Sequence, residues 1–111
     1  MIERLSGRRA FDRLRIEGRR CGRGPLRLVY RPDPQQNTRV AFALPRSVGN
    51  AVVRNRIRRR IRAVLGEIDR AHDDLPAGGD YLVRVTAPID HWSHARLLAT
   101  MTDLLATGPL P

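Results

Sequence analysis

Residues Ala51 to about Ala71 constrain the fold more than any other part of this 111-residue chain. Val53, Ile57, Ile61, Val64 and Ile68 follow one another at spacings of 4, 4, 3 and 4. At about 100° per residue they fall within about 40° of a common line, so they form one apolar stripe along a helix. A chain carrying such a helix must supply a surface that covers the stripe. The opposite arc is cationic: Arg54–Arg62 reads RNRIRRRIR, six arginines in nine residues with no acid. Arg56, Arg58, Arg59 and Arg62 spread around the far side, with Asn55 among them. Arg54 and Arg60 flank the stripe, where their stems can lie along a core edge while the guanidinium groups reach outward.

The covering surface is a sheet. LRLVYR after Pro25 alternates Leu26, Leu28 and Tyr30 with Arg27, Val29 and Arg31, a strand with one wet face. PDPQQNT (32–38) is turn chemistry, and Arg39–Leu44 is a second, more buried strand. RRCGRG (19–24) is a basic, glycine-rich passage with room for one short strand, and Asp80–Thr86 is a further strand ended by Pro88. Residues 2–17 read as a first helix, with Leu5, Ala10, Phe11 and Leu14 sharing a face and Gly18 as its stop. Asn50 is placed to cap the arginine helix. Residues from about Asp90 to Thr107 read as a last helix that packs Trp92, Leu97, Leu98, Met101, Leu104 and Leu105, with Gly108 beyond it. The order α-β-β-β-α-β-α predicts an α+β fold, an α-β sandwich in a single domain over residues 1–111.

Charge narrows the function. All 21 basic residues are arginine, against 11 acids. Residues 1–62 carry a balance of +14 and residues 63–111 one of −4, and no acid occurs between Pro34 and Gly66. Like charges at i, i+4 (Arg54, Arg58, Arg62) cost a few tenths of a kcal/mol each, which interleaved Glu would relieve. None is interleaved, so an external polyanion is expected to neutralise this face, and phosphate oxygens match the guanidinium fork. A membrane-surface helix would carry bulky apolar anchors where this one has β-branched core residues. No apolar run nears the ~20 residues of a membrane span, and MIERLSGRRAF is too charged for a signal peptide. The single cysteine, Cys21, suits a reducing, cytoplasmic setting, and its arginine neighbours are expected to lower its pKa. A strand leading straight into the basic helix does not look like a helix-turn-helix, so physical reasoning alone ends at backbone-dominated, salt-sensitive binding of RNA or DNA.

Residues 39–62, RVAFALPRSVGNAVVRNRIRRRIR, closely resemble the bacterial ribonuclease P protein subunits. The family's pattern of strand, basic pair, Gly-Asn, Ala-Val and Arg-Asn-Arg is met here by Arg46, Gly49, Asn50, Ala51, Val52, Arg54, Asn55 and Arg56, followed by Arg58, Arg59 and Arg62. RLSGRRAFDRLRIEGRR is similar to the family's first helix and DYLVRVTAP to its late strand, so the resemblance spans about residues 4–105. It implies a sheet with a left-handed β-α-β crossover around the arginine helix. It also implies that a large RNA cleaves the 5′ leader from precursor tRNA with Mg²⁺, and that the protein supplies neither catalytic residue nor metal ligand to this endoribonuclease. The catalytic RNA would be bound by Arg46, Asn50, Arg54, Asn55, Arg56, Arg58, Arg59, Arg60 and Arg62. The leader would lie in a cleft between the first helix and the sheet, contacted by Arg8, Phe11, Arg15, Arg27 and Arg31. The partners implied are ribonuclease P RNA and precursor tRNA, with no DNA and no membrane.

The sequence departs from the family at Pro45-Arg46, where two basic residues are usual, and at Thr86-Ala87, where Arg or Lys often precedes the proline. It also departs at Arg15 and Leu26, where aromatics are common. Phe11 reads equally as a core residue or a leader contact. The alternative function is a stand-alone RNA-binding or ribosome-associated module. His91 and His94 sit at a spacing zinc could use, but no Cys or third His completes a tetrahedral set with them, so they read as capping or surface residues.

Overall fold

The computed structural model describes residues 2–107. The arginine helix is α2 (Ala51–Ala71), helical over the whole predicted span. It begins where expected: Asn50 Oδ1 accepts the Val53 N–H at 2.9 Å, a cap worth about 1 kcal/mol. Ahead of it, a single 3₁₀ turn (Arg46–Val48) ends at Gly49, whose φ of 153° and contact with Val53 both demand glycine. A Cβ at Gly49 would lie 2.6 Å from Val53 Cγ1. The strand-to-helix connection therefore has one conformation, and the first turn of α2 is aimed by it.

Around α2 the chain forms α1 (Arg8–Glu17), α3 (His94–Thr107) and a five-stranded sheet. The strands are β1 (Ile2–Arg4), β2 (Arg19–Arg23), β3 (Leu26–Pro32), β4 (Thr38–Ala43) and β5 (Gly79–Val85), in spatial order β1-β4-β5-β3-β2. β4 runs parallel to both β1 and β5, while β3 runs antiparallel to β5 and to β2. The α+β sandwich is thus present, with one strand more than its sequence announces.

Strand alternation divides the sheet into two faces. Leu26, Leu28, Val40, Tyr81, Val83 and Val85 meet Ile57, Ile61, Val64, Leu65 and Ile68 of α2 and Leu97, Met101 and Leu104 of α3 in the main core. Burying each of those α2 side chains contributes about 1.5–3 kcal/mol. Val29 and Ala41, with the half-buried Leu82, face the other way and meet Leu5, Leu14 and Ala10. α1 therefore covers one face and α2 with α3 the other.

Two boundaries differ from the sequence reading. The first helix does not span 2–17: residues 2–4 form β1 against Thr38–Val40, and the helix starts only at Arg8. Leu5 still reaches the predicted core, but from the connection rather than from the helix face. The last helix starts at His94, not Asp90, because residues 89–92 close a turn, with Trp92 N–H donating to Ile89 C=O at 3.0 Å. Gly108 lies outside the described residues.

A buried polar cluster lies on the α1 side. Asp80 is 1% exposed and accepts from Arg39 Nε (2.8 Å), Arg39 Nη2 (3.0 Å) and Gln36 Nε2 (2.7 Å). The fork holds β4 to β5 and carries the 32–38 turn with it. On the other side Tyr30 and Tyr81 stack at 4.5 Å. Their hydroxyls donate to the carbonyls of Gly78 and Ala77 and so fix the loop before β5. Burial pushes the Tyr81 hydroxyl far above its ordinary pKa, and Tyr30 adds to the shift.

Candidate nucleic-acid interface

α2 presents its cationic arc to solvent. Arg46, Asn55, Arg56, Arg59 and Arg62 are exposed, and Val52, 64% exposed, lies among them. Arg58 is half-buried and donates to Asn55 Oδ1 at 2.7 Å. Val52, Asn55, Arg58, Arg59 and Arg62 line an open groove of about 580 Å³. No carboxylate among the described residues lines it, so its field is that of the arginines.

A second groove runs between α1 and the sheet. Its first part, about 370 Å³, is lined by Phe11, Asp12, Leu14 and Arg15 from α1 and by Arg20, Val29, Leu82 and Arg84 from three strands. It continues into a further 390 Å³ that shares Arg20, Val29 and Arg84 and adds Arg27, Cys21 and Thr86. Arg27 and Arg84 stand directly opposite each other on β3 and β5. Like charges in that relation cost stability unless something anionic lies between them. An apolar floor of Val29 and Leu82 with Phe11 at the rim and arginines around it suits a single-stranded nucleic acid, its bases inward and its phosphates on the guanidinium groups.

A sequence profile of ribonuclease P matches residues 2–107. The chain belongs to the ribonuclease P protein family. The ribonuclease P protein component of Nocardioides sp. is 40% identical over 84 residues, 72% of this chain and 68% of that protein. That of Thermobifida fusca is 31% identical over 116 aligned positions, 97% of this chain and 77% of that protein. In fold it is similar to the RNase P protein from Thermotoga maritima, with a TM-score of 0.80 at 21% identity over 95% of this chain and 96% of that one. Staphylococcus aureus RNase P protein gives a TM-score of 0.72 at 17% identity over 94% and 93%. The chain is accordingly the protein subunit of an endoribonuclease whose partner is ribonuclease P RNA.

Within this ribonuclease P protein the residues singled out in the sequence separate into groups. Arg46, Asn55, Arg56, Arg58, Arg59 and Arg62 lie on the open side of α2 or just ahead of it. Asn50 is occupied as the helix cap. Arg54 is half-buried beside the stripe, its Nε turned inward. Arg60 is committed elsewhere: its guanidinium donates to the carbonyls of Asp90 (3.3 Å) and Trp92, tying α2 to the turn before α3. Its position flanking the stripe is what brings it there, so its role is to brace two helices.

Of the five residues expected at the leader cleft, Phe11, Arg15 and Arg27 line the groove. Phe11, 38% exposed, sits at the rim and not in the core. Arg8 is exposed at the start of α1, away from the groove lining. Arg31 is drawn under the end of α1, with its Nε 3.6 Å from Glu17 Oε1. Arg20 and Arg84 were missed. The alternation in DYLVRVT already put Leu82 and Arg84 on one face, but nothing local in the sequence says which face α1 covers.

Cys21 also departs from expectation. It is half-buried, and burial pushes its thiol above the usual range, outweighing the opposing pull of Arg23. His94 Nε2 lies 2.8 Å from Glu67 Oε2, a second tie between α3 and α2.

Proposed function

We propose that this subunit holds the single-stranded 5′ leader of precursor tRNA in the groove under α1 while the open face of α2 binds ribonuclease P RNA. It thereby assists the RNA's Mg²⁺-dependent endonucleolytic removal of the leader. Mg²⁺ in this reading serves the RNA, and the protein's contribution is positive charge that lowers the metal concentration the RNA requires. The observation that carries it is the groove itself: Arg15, Arg20, Arg27 and Arg84 surround an apolar floor with Phe11 at the rim. No helix among the described residues is long and apolar enough to cross a membrane. A cytoplasmic setting agrees with the single cysteine.

The test is cleavage of precursor tRNA by ribonuclease P RNA at limiting Mg²⁺, with and without the protein. Restored cleavage at the 5′ side, with no cleavage by protein alone, supports the reading. Binding without stimulation would point to a stand-alone RNA-binding module. Six phosphate contacts predict a log–log dependence of affinity on salt with a slope of about −4 to −5. A slope near zero would contradict a polyanion partner.

Phe11→Ala is expected to weaken binding of precursor relative to mature tRNA by about fivefold or more, since stacking on an aromatic contributes about 1–3 kcal/mol per base. Equal weakening of both RNAs would remove Phe11 from leader contact. With so few aromatics, leader binding should depend weakly on leader sequence and steeply on salt.

A further inference from the structure

β1 is short, and its shortness opens a site. It pairs only with Thr38, Arg39 and Val40, and after Leu5 N–H donates to Val40 C=O at 3.0 Å the chain turns away. From Ala41 to Ala43, β4 has no neighbour on that edge among the described residues. Strand alternation points the N–H and C=O of Phe42 the same way as the Val40 carbonyl, into the gap. A cavity of about 530 Å³ lies there, bounded by Arg4, Arg58, Arg62, Phe11 and Phe42. Its size falls within the range of small-ligand sites. Among the described residues no acid lines it, and neither Arg4 nor Arg62 has a carboxylate partner.

The parts of this cavity match one kind of ligand. The Arg62 guanidinium lies 5.1 Å from the centre of the Phe42 ring, giving a flat cation on an aromatic on which a base can stack. The backbone N–H and C=O of Phe42, on the stretch of edge that β1 does not pair, complement the adjacent donor and acceptor on the edge of a nucleobase. Arg4 and Arg58 supply charge for its phosphate. The cavity also joins the two grooves: it shares Phe11 with the cleft under α1, and Arg58 and Arg62 with the face of α2. We propose that this edge cavity takes one nucleotide of the leader, base against Phe42 and Arg62 and phosphate toward Arg4 and Arg58, where the strand passes from the cleft to the arginine helix. The proposal rests on the leader-binding reading above. A peptide strand is disfavoured as occupant, because only three residues of edge are open and the surroundings are cationic.

The experiment uses the holoenzyme and precursor tRNAs in which one leader nucleotide at a time lacks its base. In the wild type, loss of the base at one position should weaken binding about fivefold or more. In Phe42→Leu, which keeps apolar bulk but removes the ring, the same loss should cost nothing, while other positions respond as before. Arg4→Ala alters an exposed side chain, so it should fold normally; it should weaken binding of the intact leader and make the salt slope shallower by about 1. If no position couples to Phe42→Leu and Arg4→Ala changes nothing, although precursor still binds more tightly than mature tRNA, the cavity holds no leader base and the cleft reading survives. If wild-type holoenzyme binds precursor and mature tRNA alike, the cleft reading falls and the cavity proposal with it. If adenosine monophosphate titrated into the protein binds in a Phe42-dependent way and no leader position couples, the site belongs to free nucleotides and the proposal is overturned.

Discussion

Changing Arg56 and Arg59 together to alanine is expected to weaken assembly with ribonuclease P RNA by about a hundredfold or more. Both side chains are exposed on the open face of α2, and neither has a carboxylate partner among the described residues. Hydrogen bonds to a charged group contribute about 1.5–3 kcal/mol each, and every ~1.4 kcal/mol is tenfold in affinity. Two lost phosphate contacts should also make the salt slope shallower by about 2. The fold should be untouched, because surface changes away from special features stay within about 0.5 kcal/mol. Binding titrations at several salt concentrations, beside a thermal melt, measure both quantities. A fall in stability with an unchanged slope would make these arginines structural. Arg60→Ala is the informative contrast, since its guanidinium is bound to the carbonyls of Asp90 and Trp92. There the melt should move more than the slope.

The largest effect on stability is expected at Asp80. Asp80→Ala leaves the Arg39 guanidinium without its fork and Gln36 without its acceptor. Removing one member of a buried ion pair costs about 3–5 kcal/mol. Arg39 retains 35% side-chain exposure and can recover some hydration, which puts the cost near 3 kcal/mol. For a domain of this size that lowers Tm by more than about 10 °C. Chemical denaturation with the midpoint and slope both fitted measures it, and a loss below ~1 kcal/mol would show that the pair only offsets its own desolvation. Asp80 lines neither groove, so affinity for RNA measured well below the melting temperature should not change.

The two arginine surfaces differ in how far the sequence discloses them. The face of α2 is written within 21 consecutive residues. The groove under α1 is assembled from Arg15, Arg20, Arg27 and Arg84, which lie on a helix and on three strands that neighbour one another in the sheet but are not consecutive in the chain. Phe11 could be named from its helix, but whether it faced the core or the groove depended on how α1 lies on the sheet. Arg31 alternates with Arg27 along one strand, yet Glu17 at the end of α1 draws it away from the groove. Cys21 among arginines suggested a depressed pKa, and the packing around β2 reverses the sign.

What the sequence by itself determined is what repeats within a few residues. The 3.6-residue period fixed α2 and its buried stripe, and the Gly49-Asn50 start fixed its first turn. The alternation in 26–31 and 80–86 fixed two strands and which of their residues share a face, although the face of 26–31 read as wet has Val29 buried under α1. What only the tertiary structure decided depends on partners distant in the chain. β1 is three residues long and carries no period that could be read; it is a strand only because Thr38–Val40 offers it a free edge. Arg60 flanks the stripe as Arg54 does, and only the turn before α3, which brings two carbonyls to it, makes it a brace between helices. Periodicity encodes which side of an element is apolar, whereas register and layer order come from backbone pairing and packing between segments, which no local pattern contains.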